Sequence, residues 1–173
     1  MPEQRLAAID VGTNSILLLV VEVRADGCLF PVEERCRIER LGQGLERTGR
    51  LDDKAISRAL DALVEYARII RARDVSEAVA VGTQALRQAT NASELLDRAE
   101  SALGISVEVI DGRREAELVY GAAIRSLPQL GDSRPNGLTV FDVGGGSTEI
   151  IAGRADGTID GLASLPIGAV RLT

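Results

Sequence analysis

The sequence has no histidine, no tryptophan and a single lysine, Lys54. Without histidine it cannot itself hold a Ser-His-Asp or Cys-His nucleophile system, an HExxH zinc site or a phosphohistidine, so acid-base chemistry falls to carboxylates. The near absence of lysine, with no GxxxxGK[ST] run, excludes a P-loop. Aromatic residues are as scarce: two Phe and two Tyr in a chain of net charge -6 provide neither a basic footprint nor a stacking platform, and nucleic acid is not an expected partner. The longest apolar run, Ile16 to Val21, is far short of the roughly 18 residues a spanning helix needs. Met1-Pro2-Glu3-Gln4-Arg5 lacks the cationic, apolar and small-residue succession of an export signal. Cys28 and Cys36 have no CxxC spacing and read as reduced thiols. The expectation is a cytoplasmic protein with no membrane partner.

What is present fits a packed fold. The chain is 45% apolar and 27% charged, and its 173 residues allow one domain, or one domain and part of another. Arg5 to Asp10, Ile16 to Val23 and Cys28 to Ile38 read as a three-stranded antiparallel meander, followed by a Gly-rich loop from Leu41 to Gly49. From Asp52, apolar residues recur every three or four positions to Ile70, the pattern of an amphipathic helix. Then come a strand at Ala78 to Val81, a short helix carrying Arg87, a helix from Asn91 to Leu103, a strand at Ile105 to Ile110 and a helix from Arg113 to Leu127. Asn91 with Glu94 resembles a capping box. Pro135-Asn136-Gly137 closes an expected linker, 131–137, between a first lobe, 1–130, and the start of a second, 138–173. Strands are expected at Leu138 to Val143, Thr148 to Ala152 and Ile159 to Leu165.

The most informative feature is an internal repeat. Ala8-Ile9-Asp10-Val11-Gly12-Thr13-Asn14-Ser15 aligns with Val140-Phe141-Asp142-Val143-Gly144-Gly145-Gly146-Ser147. Each copy ends a strand on Asp, continues in small residues that let the backbone approach a ligand, and returns through a second strand. Two such hairpins facing each other could grip a phosphate chain; ordinary tight turns use the same residue types. The copies also differ, because Glu149 stands where Leu17 stands. A carboxylate there could hold a metal ion or position water, or it could be an edge-strand Glu directed to solvent. Arg87, just past a strand, could reach a phosphate oxygen or be a solvated surface group. Glu115 and Glu117, beside Arg113 and Arg114, open a helix, where acidic residues also complement the helix dipole.

Together the stretches Ala8 to Ser15, Arg40-Leu41-Gly42-Gln43-Gly44-Leu45, Val81 to Ala89, Asp142 to Glu149 and Pro166 to Leu172 resemble the exopolyphosphatases and guanosine pentaphosphate phosphatases, within the actin, sugar kinase and Hsp70 superfamily. The resemblance implies an α/β actin-like (ribonuclease H-like) fold, with a mixed five-stranded sheet flanked by helices and the beginning of a second, similar lobe. It implies magnesium-dependent hydrolysis of a terminal phosphoanhydride in polyphosphate or guanosine pentaphosphate. Glu115 matches the family's catalytic Glu and Glu149 its second essential Glu. Arg87 matches the phosphate-binding Arg, and Asp10 and Asp142 the acidic positions of the two loops. In the mechanism so implied, Gly12, Thr13, Asn14 and Ser15, together with Gly144, Gly145, Gly146, Ser147, Thr148 and Arg87, bind phosphate. Asp142, Glu149 and Asp10 are the metal positions. Arg114 is a departure, since many members carry a further Glu there. Members of the family are longer, so a non-catalytic phosphate-binding fragment is the alternative, and a kinase of the same superfamily a weaker one. Unpaired strands of an incomplete second lobe would also allow a homodimer.

Overall fold

The computed structural model describes residues 4–126 and 136–170. Its chain divides into two compact units, Met1–Val109 and Ile110–Thr173.

The first unit is built on β1 (Gln4–Val11), β2 (Ser15–Val23) and β3 (Leu29–Ile38), an antiparallel meander as the turn residues require, extended by β4 (Glu77–Gly82) and β5 (Val107–Val109). The sheet order is β3-β2-β1-β4-β5, with β4 and β5 parallel to β1. This is the mixed five-stranded sheet expected. Parallel strands need crossovers, supplied here by α2 (Asp53–Ala72), α3 (Gln84–Gln88) and α4 (Ala92–Leu103). Strand alternation decides what those helices cover. Ile16, Leu18 and Val20 of β2 are buried against the apolar face of α2, while Leu17 and Leu19 on the opposite face stay exposed. Each large side chain buried in this way contributes roughly 1.5–3 kcal/mol.

Helix α2 begins where Asp52 accepts hydrogen bonds from the amides of Lys54 (3.0 Å) and Ala55 (3.2 Å). It is tied to β2 by Tyr66, fully buried, whose hydroxyl donates to the Ile16 carbonyl at 2.9 Å. Burial pushes the Tyr66 phenol up to about 12. Two buried carboxylates next to the helix are paired: Glu33 with Arg35 and Arg73, and Glu39 with Arg37 and Arg58.

Two local expectations are corrected. Asn91 makes no cap bond to α4. Its side-chain oxygen accepts from the Leu51 amide at 2.8 Å and its NH2 donates to the Leu51 carbonyl at 3.3 Å, so a buried backbone partner outcompetes the capping box. Glu94 pairs instead with Arg50. The Gly-rich loop also contains a helical turn, α1 (Leu45–Thr48), bounded by Gly44 and Gly49 in left-handed conformations and anchored by buried Leu45.

The second unit is a three-stranded antiparallel sheet, β6 (Gly137–Val143), β7 (Thr148–Arg154) and β8 (Ile159–Leu165), with β7 in the centre. Helix α5 (Gly112–Ser126) belongs to this unit, so the division falls earlier in the chain than the boundary expected from chain order. The reason is packing. Ala116 and Tyr120 bury themselves with Ile151, and the Tyr120 hydroxyl donates to the Arg154 carbonyl at 3.0 Å. Residues 131–135 of the expected linker lie outside the described residues. Among the described residues no helix is long and apolar enough to cross a membrane.

Candidate functional site

The two loops of the internal repeat close with the same hydrogen bond. The Gly12 amide donates to the Ser15 carbonyl at 3.0 Å, and the Gly144 amide to the Ser147 carbonyl at 2.9 Å. The flanking registers also agree. Asp10 stands opposite Leu17 and Val11 opposite Ile16 in β1 and β2; Asp142 stands opposite Glu149 and Val143 opposite Thr148 in β6 and β7. The sequence repeat is therefore a structural repeat.

Each loop is strapped by the chain leaving its third strand. After β3, the amides of Glu39 and Arg40 donate to the Asn14 carbonyl at 3.1 and 2.8 Å, and that of Gly42 to the Thr13 carbonyl at 2.8 Å. After β8, the amides of Ala169 and Val170 donate to the Gly144 and Gly145 carbonyls at 3.0 and 2.8 Å. The Thr148 hydroxyl adds a bond to the Ile167 carbonyl at 2.6 Å. Gly168 crosses the glycine loop so closely that a Cβ there would lie 2.5 Å from backbone atoms of Gly145 and Gly146. This accounts for two of the motifs that carried no evident chemistry, Arg40 to Leu45 and Pro166 to Leu172: their described residues hold the loops.

In the first unit the loop is braced a second time. Thr13 Oγ1 and Gln84 Oε1 are 3.1 Å apart, both residues buried, with the threonine donating. The Thr83 amide donates to the Val11 carbonyl at 3.3 Å, so α3 starts beside the end of β1 and carries Arg87, half-buried, on its only full turn. Asp10 is half-buried and faces Leu17 across the hairpin, so it has no carboxylate opposite it.

The second unit gathers acids. Glu149, on the central strand, is only 1% exposed, which corrects the edge-strand alternative. Asp142 lies directly across from it on β6 and Ser164 directly across on β8. The Ser164 hydroxyl donates to Glu149 Oε1 at 2.8 Å. Burial, and then the charge of Glu149, push the Asp142 carboxyl above the ordinary carboxylate range. Glu115 sits half-buried in the first turn of α5, where the Asp111 side chain accepts from the Arg114 amide at 2.7 Å. Arg113 and Arg114 both pair with Glu117, at 3.1 and 3.5 Å, and this carboxylate takes up the charge that Arg114 introduces.

No group of three or more His, Cys, Asp or Glu able to hold a metal is found among the described residues. The Asp142 and Glu149 pair still suits magnesium, which is commonly bound through one or two carboxylates with water and substrate phosphates completing its shell. The sequence missed Thr83, Gln84 and Ser164. Extending the repeat to its third strand would have exposed Ser164, which occupies the place of Cys36.

Sheet order, the duplicated Asp-Gly hairpin and the flanking helices define a protein of the actin-like fold class. More narrowly, residues 19–173 match the Ppx/GppA phosphatase family, and the chain belongs to it. It is 39% identical over 177 residues to exopolyphosphatase 2 of Mycobacterium tuberculosis, covering 98% of this chain and 54% of that protein. An Aquifex aeolicus family member of known structure superimposes with a TM-score of 0.82 at 39% identity, covering 99% of this chain and 54% of the other. An exopolyphosphatase from Cytophaga hutchinsonii gives 0.89 at 34% identity, covering 98% and 52%. The chain thus spans about half the length of the relatives it matches.

Proposed function

We propose that this chain takes part in removing terminal phosphate from a phosphoanhydride chain, inorganic polyphosphate or guanosine pentaphosphate, by in-line attack of water. The observation that carries the proposal is the opposed pair Asp142 and Glu149 beside the glycine loop, at the positions that Asp10 and Leu17 occupy in the other repeat. Family membership supports it, and so does the name of the mycobacterial relative.

Phosphoryl transfer asks a protein mainly for positioning and charge neutralisation. Each loop, taken in its own unit, is held by its strap with the Gly12 or Gly144 amide closing the turn. The backbone amides beyond that glycine, from Thr13 in the first unit and from Gly145 in the second, would face phosphate oxygens, and Arg87 would add a guanidinium in the first unit. Asp142 and Glu149 would hold magnesium. When bound, that ion would neutralise phosphate charge, which an acidic protein otherwise repels. The contribution of Asp10 to metal binding rests on the resemblance alone. Glu115 orients the attacking water and accepts its proton.

The test is phosphate release from long-chain polyphosphate, guanosine pentaphosphate and ATP, by the wild-type chain and by Glu115→Ala. Release by the wild type that falls by roughly 10²–10⁴-fold in the variant is expected, the range for loss of a general base. The preferred substrate then selects between the two activities. Near-normal turnover by a folded Glu115→Ala chain would sink the role given to Glu115. Polyphosphate binding without release would favour a non-catalytic binding module.

A further inference from the structure

We propose that Ser164 is the positioning residue of this site: its hydroxyl fixes the Glu149 carboxylate and sets it beside the first turn of α5. The inference rests on the role given above to Glu149 in metal binding. A carboxylate as deeply buried as Glu149 needs donors from the protein, and the Ser164 hydroxyl, with one proton to give, directs it at Oε1 over 2.8 Å. The bond spans directly opposed residues of β7 and β8, so the sheet backbone sets its geometry and a short side chain leaves little freedom.

On its other side Ser164 meets α5. A Cβ built on Gly112, the first residue of that helix, would lie 3.6 Å from Ser164 Oγ. The serine therefore bonds Glu149 and also lies close to the first residue of the helix that carries Glu115. An independent observation comes from the other repeat, where the residues at these two positions are Leu17 and Cys36, also directly opposed. Carboxylate and hydroxyl are both present in one repeat and both missing from the other. Burial of a carboxylate calls for a donor by itself; orienting a metal ligand calls for that donor at a fixed place, and metal affinity is the readout that separates the two.

The test is Mn2+ binding to the 173-residue chain, followed by calorimetry, for wild type, Ser164→Ala, Ser164→Thr and Glu149→Gln, with thermal melts by circular dichroism alongside. Ser164→Ala should weaken Mn2+ binding by on the order of 10–100-fold, the usual cost of removing a ligand's orienting partner. Ser164→Thr, which keeps the hydroxyl, should bind close to the wild-type value and melt above the alanine variant, whose Glu149 has lost its donor. Affinities are compared at a temperature where the melts show every variant folded. Wild-type affinity in Ser164→Ala, with binding lost in Glu149→Gln, would overturn the positioning role and leave the metal site standing. Unchanged affinity in Glu149→Gln, or a wild-type chain that takes no Mn2+, would remove the metal reading and this inference with it.

Discussion

The two Asp-Gly hairpins share a turn bond, a strand register and a strap across the loop, yet they have different chemistry. In the first, Asp10 faces an apolar residue, Leu17, and the loop is braced from behind by Thr13 and Gln84. In the second, Asp142 faces Glu149, which is itself held by Ser164. Fixing the backbone of the loop is a task of the fold and is carried out twice. Concentrating negative charge, which is costly in a buried place, is carried out once. The scaffold is repeated, and two differences on adjacent strands, Leu17 against Glu149 and Cys36 against Ser164, distinguish a hairpin whose Asp faces an apolar residue from the one to which the proposed function assigns the cation.

The sharpest way to break this comparison is to convert the second hairpin into the first with Glu149→Leu. Phosphate release should fall by on the order of 10²-fold or more, the scale of losing a positioned group that stabilises transferred charge. The melting temperature should hold or rise, because an apolar side chain replaces a buried carboxylate and the exposed Ser164 can turn to water. The reverse change, Leu17→Glu, falls on a side chain 40% exposed and should shift stability by no more than about 0.5 kcal/mol. Assaying release and melting both variants decides the matter; a Glu149→Leu chain that still turns over, or one that melts far below Leu17→Glu, contradicts the division of labour.

Much of this was legible in the sequence because it is local. Strand β8 begins and ends where its residues predict, α2 follows its apolar period, and the repeat announced both loops. What escaped depends on which strand lies beside which. Glu149 could be read as an edge residue because nothing in Thr148 to Ala152 says that β8 will fold back to make β7 central. The Asn91 capping pattern was sound locally and failed to a distant competitor, the backbone of Leu51. Ser164 is an unremarkable serine until register brings it opposite Glu149. Pairing across the sheet, rather than composition, brings Asp142, Glu149 and Ser164 side by side.

The straps allow a finer comparison. Each passes a glycine close to the equivalent loop position, but the neighbours differ in how far they can yield. A Cβ on Gly168 would meet backbone atoms of Gly145 and Gly146 at 2.5 Å, whereas one on Gly42 would meet the Thr13 methyl at 2.3 Å. Backbone cannot rotate away; a threonine side chain can, at the cost of its bond to Gln84. Gly168→Ala should therefore destabilise its unit by about 3 kcal/mol, the upper end for overpacking, and Gly42→Ala by about 1 kcal/mol, the size of one hydrogen bond. Denaturant titration followed by circular dichroism measures both. Equal losses would mean that Thr13 is held as rigidly as backbone.

The smallest effect concerns the residue that enters the first strap. Arg40 has φ 52°, left-handed backbone in which a side chain is strained, while its amide holds the Asn14 carbonyl at 2.8 Å. The second strap manages its crossing with Gly168, which is not left-handed. Removing the Cβ of Arg40 relieves a strain of roughly 1–2 kcal/mol. Glycine gives back about 0.4–1 kcal/mol through the greater freedom of the unfolded chain. Arg40→Gly should thus stabilise the first unit by up to about 1 kcal/mol. Arg40→Ala keeps the strain and deletes only the guanidinium, so it should not stabilise. Were both variants less stable than wild type by the same amount in thermal melts, the guanidinium itself would be holding the strap, and the left-handed residue would be a consequence of that contact rather than a strained entrance to the loop.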